Sequence, residues 1–386
     1  MKMNLLKILP CILMLLTFTN ASAWWDKAYT ARKEFTLDTT SAGGNVSEPI
    51  GNAVVLIRLH QGNFQFGVAK EDGSDMRFVA QDDKTPLSFH IEKYDSLMNE
   101  GFVWVKVPDV KPGAQTKFWV YYGNAGEGEG KGPDAKATYE GENVLVYHFG
   151  QGSNPATDYT KEGNNSENAG TPSEGSLIGS GLRFLGGTPV IIPAKDSLDW
   201  SKAEGLTWSV WIKPASPQPN AVLFSREQDG NGFRILIDNG IPTLEVKDAS
   251  GTKRSTAGEP LAAGAWKNLA VVGESGKFTL YIDGEAYSEL NAALPPLSGP
   301  LQIGGTEGNS FIGELDELQI QNAAKPVGAI KLAAIGQSGS DRGTKLLTSG
   351  EDEGGGGGHG GALEHMMLFG DIARNMMFDG WIAIGV

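Results

Sequence analysis

The residues with the most obvious chemical potential lie in one short run, Glu314-Leu-Asp-Glu317. Along an extended strand, positions i, i+2 and i+4 point to one side, so Glu314 and Asp316 share a face and Glu317 points away. Carboxylates that converge on one bond are the equipment of glycoside hydrolysis, where nucleophile and acid/base stand about 5 Å apart in the retaining case. Position 318, which would complete the face, is Leu, and a bulged strand would put Gln319 there instead. The acid/base carboxylate is missing, so hydrolysis by Glu314 or Asp316 is not expected. Asp316 alternates with Ile312, Leu318 and Ile320, which predicts that it faces inward and needs a partner, loop backbone being the simplest.

Other candidate groups read more simply. Asp229-Gly-Asn-Gly232 has the composition of a tight turn and lacks the remaining ligands of an EF-hand loop. His60, His90 and His148 fall in separate strand-like runs with no Cys or His at ligand spacing, so strand packing is expected rather than a metal site. Trp208 or Trp211 could stack on a sugar, but alternation sends one of them to the core. No Ser-His-Asp arrangement or dinucleotide fingerprint stands out, and Gly354 to Gly358 lack the Lys and Ser/Thr of a phosphate loop.

The elements that must position these groups are strands. Between residues 24 and 125, Ala53–Leu59, Gly73–Val79, Leu87–Glu92, Phe102–Val107 and Lys117–Gly123 are strand-like runs separated by turns, and none has a long helical period. A second tract, 143–325, repeats the pattern. Its runs are Val144–Phe149, Leu206–Pro214, Ala221–Ser225, Gly232–Asp238, Trp266–Val272, Lys277–Gly284, Leu301–Gly305 and Phe311–Ile320. Trp208, Val210 and Ile212 share one face, and Asp283-Gly284 is a hairpin turn signal. The expected fold class is all-β, two sandwiches.

The first 23 residues read as an export signal: Lys2 and Lys7, an apolar run from Leu5 to Phe18, and the cleavage site Ala21-Ser22-Ala23. The run is too short to span a bilayer comfortably, which takes roughly 20 residues. Cys11, the only Cys, would leave with it, so no disulfide framework is expected. The net charge of −14 would become −16 in the mature chain, since Lys2 and Lys7 leave and no acid does. Such an acidic chain argues against nucleic acid as partner and suits a neutral glycan or Ca²⁺.

Two resemblances add to this reading. Trp24-Trp25 with Tyr29 and Arg32, Asp72-Gly-Ser-Asp-Met-Arg-Phe78, Val103-Trp-Val-Lys-Val-Pro108 and Tyr121-Tyr-Gly-Asn124 resemble a domain of unknown function found near the start of exported bacterial proteins. That implies a sandwich outside the cytoplasm and no particular activity. Thr207-Trp-Ser-Val-Trp-Ile-Lys-Pro214, Trp266 ahead of Leu269-Ala-Val-Val272, Leu280-Tyr-Ile-Asp-Gly284 and Ile312–Ile320 resemble the laminin-G-like, concanavalin-type jelly roll. This family makes Trp211 a core residue as well. It spans lectin-like, adhesive and enzymatic members, so it implies a fold more than a function. Many members bind Ca²⁺, which implies a site from Asp316 and Asp158, the latter in the loop after the first strand of the jelly roll.

The tail reads as a Gly-rich linker over 326–361, then an amphipathic helix over 362–386 entering a membrane segment. Leu363, Met366, Met367, Gly370, Ala373 and Met377 recur at helical spacing before the apolar run Trp381–Val386. Residues 366–385 resemble the approach to the first transmembrane helix of MotA/TolQ/ExbB-type proton-channel subunits. The expected organisation is therefore signal peptide 1–23, sandwich 24–125, linker 126–142, jelly roll 143–325, linker 326–361 and the membrane approach 362–386. The expected function is non-catalytic periplasmic binding of a glycan or envelope component. The resemblance implies an inner-membrane anchor and transport-complex subunits as partners. A secreted glycan-active enzyme and an adhesin are the alternatives.

Overall fold

The computed structural model describes residues 24–126, 130–256, 258–305 and 308–354. The signal peptide over 1–23 and the membrane approach over 362–386 lie outside them. No helix among the described residues is long and apolar enough to cross a membrane.

Two β-sandwiches account for most of the chain. The first packs a five-stranded sheet against the three-stranded sheet of Gly51–His60, Glu100–Val110 and Phe89–Asp95. Phe35, Phe78, Phe118, Ile57, Val103 and Val105 from the two inner faces fill its core. The second packs an eight-stranded sheet against a six-stranded one around Trp208, Phe224, Phe233, Leu269, Leu315 and Leu318. Period-two alternation produces both cores, because every second side chain of a strand reaches the same face. The turns follow their residues: Asp283 and Gly284 have φ of 51° and 83°, and Asp229 and Gly230 have 48° and 81°. Positive φ at both central positions is what a two-residue hairpin needs, and Asp-Gly reaches it at low cost.

The largest departure from the sequence reading is at 326–361, expected as a linker. Residues up to 354 there are ordered structure: helix Val327–Gln337, helix Asp341–Leu346 and strand Leu347–Gly354. The strand pairs antiparallel with Ala31–Asp38 and becomes the edge of the five-stranded sheet. Leu332, Ile335 and Leu346 enter the core of the first sandwich. That sandwich is therefore built from both ends of the described chain, with the jelly roll between. Helix Val327–Gln337 is a wedge: Leu332 and Ile335 face the first sandwich, while Ile330 packs on Ala270 and Tyr281 of the second. Apart from Lys331, which pairs with Glu285 at 3.0 Å, and Gln337, its residues are apolar or Gly, the pattern of a largely buried helix.

The segment 126–142, expected as a linker, contributes helix Ala135–Thr138, capped by the Asp134 side chain on Ala137 N–H. Tyr139 follows it into a small core between the sandwiches with Leu56, Phe102, Trp104, Val146 and Ile178.

Candidate functional site

Strand Ile312–Gln321 is central to the jelly roll, pairing with Leu206–Pro214 on one side and with Ser180–Leu185 and Asn143–Tyr147 on the other. Its register with Leu206–Pro214 slips between Ser209 and Trp211, so that Trp211 opposes Asp316 while Ser209 opposes Gln319. Glu317 sits in the slip with φ of 55°. A bulge of this kind re-aims side chains. Leu315, Leu318 and Ile320 fill the jelly-roll core, so Glu314, Asp316, Glu317, Gln319 and Gln321 are left for the opposite, outward face.

Three sequence expectations are corrected here. Asp316 is buried, but it does not face the jelly-roll core with Leu318 and Ile320. It opposes Trp211, whose indole N–H donates to Gln337 Oε1 at 2.7 Å in the layer between the sandwiches. Trp211 is likewise buried outside the jelly-roll core, whereas Trp208, Val210 and Ile212 lie in it as alternation predicts. Glu317, expected to point away from Asp316, is turned by its positive φ into the same interdomain layer.

That layer holds a polar cluster. His148 Nδ1 lies 2.7 and 2.9 Å from the carboxylate oxygens of Glu317 and 3.5 Å from Glu92 Oε2. His148 Nε2 meets the Tyr139 hydroxyl at 2.9 Å, and Trp104 Nε1–H donates to Glu92 Oε2 at 2.7 Å. The His90 ring stacks on His148 with centroids 5.3 Å apart. So His90 and His148, expected to pack within separate strands, meet across the domain boundary. Their partners Glu92 and Glu317 had no local sequence signal, because the cluster joins residues far apart in the chain.

Burial dominates the titration of this cluster. Burial, reinforced by the charge of Glu317, pushes the Glu92 carboxyl up to about 7. Burial, with Glu317 again adding, raises Asp316 well above the usual carboxylate range. Burial also raises Glu317, against the pull of Arg58. His90 falls to about 3 through burial and then the neighbouring His148, and burial lowers His148 against the pull of Glu92. Side chains this deeply enclosed cannot meet a substrate; they couple the two sandwiches.

The residues named for a metal site lie as follows. Asp158 accepts from Val146 N, Thr160 N, Thr160 Oγ1 and Asn164 N at 2.7–3.0 Å, which ties its loop to the first strand of the jelly roll. Asp316 Oδ2 accepts from Ile178 N at 2.8 Å. The two carboxylates share none of these partners. Glu314 stands at the surface, 3.3 Å from Arg183 and 3.6 Å from Lys213. His60 ends its strand exposed, its ring accepting from Gly62 N.

Beside the buried cluster the same outward face opens into a cleft of about 250 Å³ between the sandwiches. Ser209, Asn268, Gln319 and Gln321 come from the eight-stranded sheet, Asn52 from the first sandwich, and helix Val327–Gln337 forms a wall. Gln321 Nε2 donates to Asn143 Oδ1 at 2.8 Å, while its buried Oε1 has no partner among the described residues. The inner wall is thus rich in amides and hydroxyls, which offer donors and acceptors without charge. Charged Lys106, Glu140, Glu142 and Lys325 also border it. Gln319 occupies the place the sequence assigned to it in a bulged strand, where the third carboxylate of a hydrolytic face would stand.

Comparison with known proteins agrees with this architecture. Residues 185–331 match the concanavalin A-like lectin/glucanases superfamily. Residues 72–161 match a domain of unknown function (DUF2341). Both families are those the sequence resembles. The match over residues 185–331 falls on the second sandwich, a concanavalin-like jelly roll in fold. Neither match extends to residues 362–386, so the proton-channel resemblance of residues 366–385 gains nothing from them and lies outside the described residues.

No curated protein matches the chain. Among solved structures, domain 4 of AbnA, a GH43 extracellular arabinanase from Geobacillus stearothermophilus in complex with arabinotriose, is 18% identical with a TM-score of 0.41, over 50% of this chain and 98% of that one. The binding domain of Paraclostridial Mosquitocidal Protein 1 is 16% identical, with a TM-score of 0.41 over 50% of this chain and 51% of that one. The botulinum neurotoxin serotype D binding domain is 16% identical, with a TM-score of 0.42 over 51% and 52%. The chain spans about half the length of the two toxin structures. At these identities the similarity concerns fold alone.

Proposed function

We propose that the protein is a non-catalytic, extracytoplasmic binding protein whose jelly roll takes a neutral saccharide of the cell envelope or its surroundings in the cleft between the two sandwiches. The observation that carries this is the outward face of strand Ile312–Gln321. Glu314 is tied to Arg183 and Lys213, Asp316 is 0% exposed, and position 319 is an amide. A carboxylate that is buried and raised in pKa is no nucleophile toward a substrate it cannot touch, and an amide is no general acid. What the face offers instead is neutral hydrogen bonding by Ser209, Asn268 and Gln319, which suits sugar hydroxyls. Placement outside the cytoplasm rests on the export signal. A role in a proton-channel complex is not part of this proposal.

Screening the mature chain on an array of neutral and acidic glycans tests it. Retention of neutral oligosaccharides, weakened at least tenfold by Gln319→Ala and without release of reducing ends, is the expected result. No retention of any neutral glycan, or release of reducing ends that Glu314→Gln abolishes, would overturn it.

A further inference from the structure

Glu92, His148 and Glu317 each present one donor atom, and these atoms lie within 4.8 Å of one another. They arrive from both sandwiches: Glu92 from strand Phe89–Asp95, Glu317 from strand Ile312–Gln321, and His148 from just past strand Asn143–Tyr147. Both glutamates occupy register slips, Glu92 between Ile91 and Lys93 and Glu317 opposite the Ser209–Trp211 step. Two separate sheets are thus irregular where each aims a carboxylate at one imidazole.

The ring and one carboxylate are already oriented from behind. Tyr139 holds the far nitrogen of His148, and Trp104 holds Glu92. This leaves Nδ1 facing the two carboxylates, the arrangement outer-shell groups impose on metal ligands.

An independent observation points to a cation in this layer. Asp316 is 0% exposed, and its Oδ1 has no hydrogen-bond partner among the described residues. Buried donors and acceptors are normally satisfied, and a buried carboxylate above all. Three carboxyl groups therefore crowd one enclosed layer. The guanidinium they attract, Arg58, spends Nη2 on the carbonyls of Leu177 and Gln337, and its Nε is also unpartnered. A divalent ion would add to the single guanidinium the positive charge that three carboxyl groups call for.

We propose that Glu92, His148 and Glu317 bind a divalent cation of the Zn²⁺ class that pins the two sandwiches together, with Asp316 as the nearest further carboxylate. One imidazole nitrogen with carboxylate oxygens suits Zn²⁺, whereas Ca²⁺ and Mg²⁺ are held by oxygen alone. The burial of all three groups makes this a structural ion, distinct in place and chemistry from the saccharide cleft and from Asp158.

The test uses the untagged mature chain, stripped with chelator, given one equivalent of Zn²⁺ and desalted. Elemental analysis is expected to find about one zinc per chain, and calorimetry a melting temperature several degrees above that of the stripped protein. Glu317→Gln and Glu92→Gln, which keep side-chain shape, are expected to lose the zinc and its thermal shift, while His60→Ala keeps both. Co²⁺ substitution of the unmutated chain, expected to give the intense visible bands of a four-coordinate site, reads the same question without a variant. Equal melting of the wild type in zinc and in chelator, or zinc retained equally by the two glutamine variants, would overturn the proposal.

Discussion

Replacing Leu332 by Ala tests whether the chain's return to the first sandwich is integral to it. Leu332 is 2% exposed and sits among Phe35, Ile57 and Leu346 in that core, although the whole jelly roll separates it in sequence from strand Gln115–Tyr122 of the same sandwich. The substitution removes three carbon groups, which at about 0.8 kcal/mol each amounts to about 2.4 kcal/mol of lost transfer free energy. The cavity left behind adds to this, so an overall loss of about 3–4 kcal/mol is expected, within the range known for buried leucines. Set against a typical domain stability of roughly 5–15 kcal/mol, that is a large fraction. The assay is hydrogen exchange of the amides in Ala31–Asp38, read with urea unfolding. The strand pairs with Leu347–Gly354, so its protection should fall with the stability of the returning segment. Val327→Ala, at a half-exposed position of the same helix, is the control and should change stability by less than about 0.5 kcal/mol. A Leu332→Ala effect as small as the control's would mean that residues 327–354 do not belong to the core, and the linker reading of 326–361 would return.

Three other outcomes follow from the same geometry. Gly328→Ala should destabilise by about 1–3 kcal/mol in a melting experiment, because a Cβ there would overlap the carbonyl oxygens of Glu48 and Pro49, and backbone cannot step aside cheaply. Asp158→Ala should cost about 2–4 kcal/mol in Ca²⁺-free buffer, since it orphans the buried N–H groups of Val146, Thr160 and Asn164; a melting temperature equal to the wild type's would contradict this. Purified protein should release no reducing sugar from β-glucan, and turnover that vanishes on Glu314→Gln would show the catalytic argument to be wrong.

Much of the fold was legible because a half-buried strand writes its exposure into every second residue. Trp208, Val210 and Ile212 show it, as do the Asp-Gly turns. The parts that were not legible lack a local signal. Helix Val327–Gln337 is apolar on most of its surface because both sandwiches cover it, so it shows no stripe. Strand Leu347–Gly354 carries Glu351-Asp-Glu353 and reads as a solvated run. Yet Glu353 pairs with Arg32 at 2.7 Å and Asp352 with Lys33 at 3.2 Å, charges that suit an edge strand.

The bulge at Glu317 misled the reading of the site. Counting from Leu318 and Ile320 assigns Asp316 to the core, while the slip moves it outward with Glu317. The spacing of Leu315, Leu318 and Ile320 held the clue, since a step of three and then of two between core positions is not a regular strand. Gln319 was foreseen because a bulge had been allowed for. The Glu92–His148–Glu317 cluster could not be foreseen, because nothing in a sequence records which faces two sandwiches turn to each other.

The motif residues of the first sandwich prove structural. Arg32 lies 4.1 Å from the ring centre of Trp119 and 4.7 Å from that of Trp24, and it pairs with Asp83 at 2.7 Å. Asp75 binds the N–H groups of Lys70, Gly123 and Asn124. These contacts explain the residues that made the domain recognisable without giving it a ligand.

The most direct test of the central claim is a calorimetric titration of the mature chain with the best neutral oligosaccharide from the array, repeated with Gln319→Ala and with Ser225→Ala on the opposite sheet. Saturable one-site binding that Gln319→Ala weakens at least tenfold and Ser225→Ala leaves unchanged is the predicted result. Binding that ignores Gln319, or that Ser225→Ala abolishes, would place the ligand elsewhere and contradict the account.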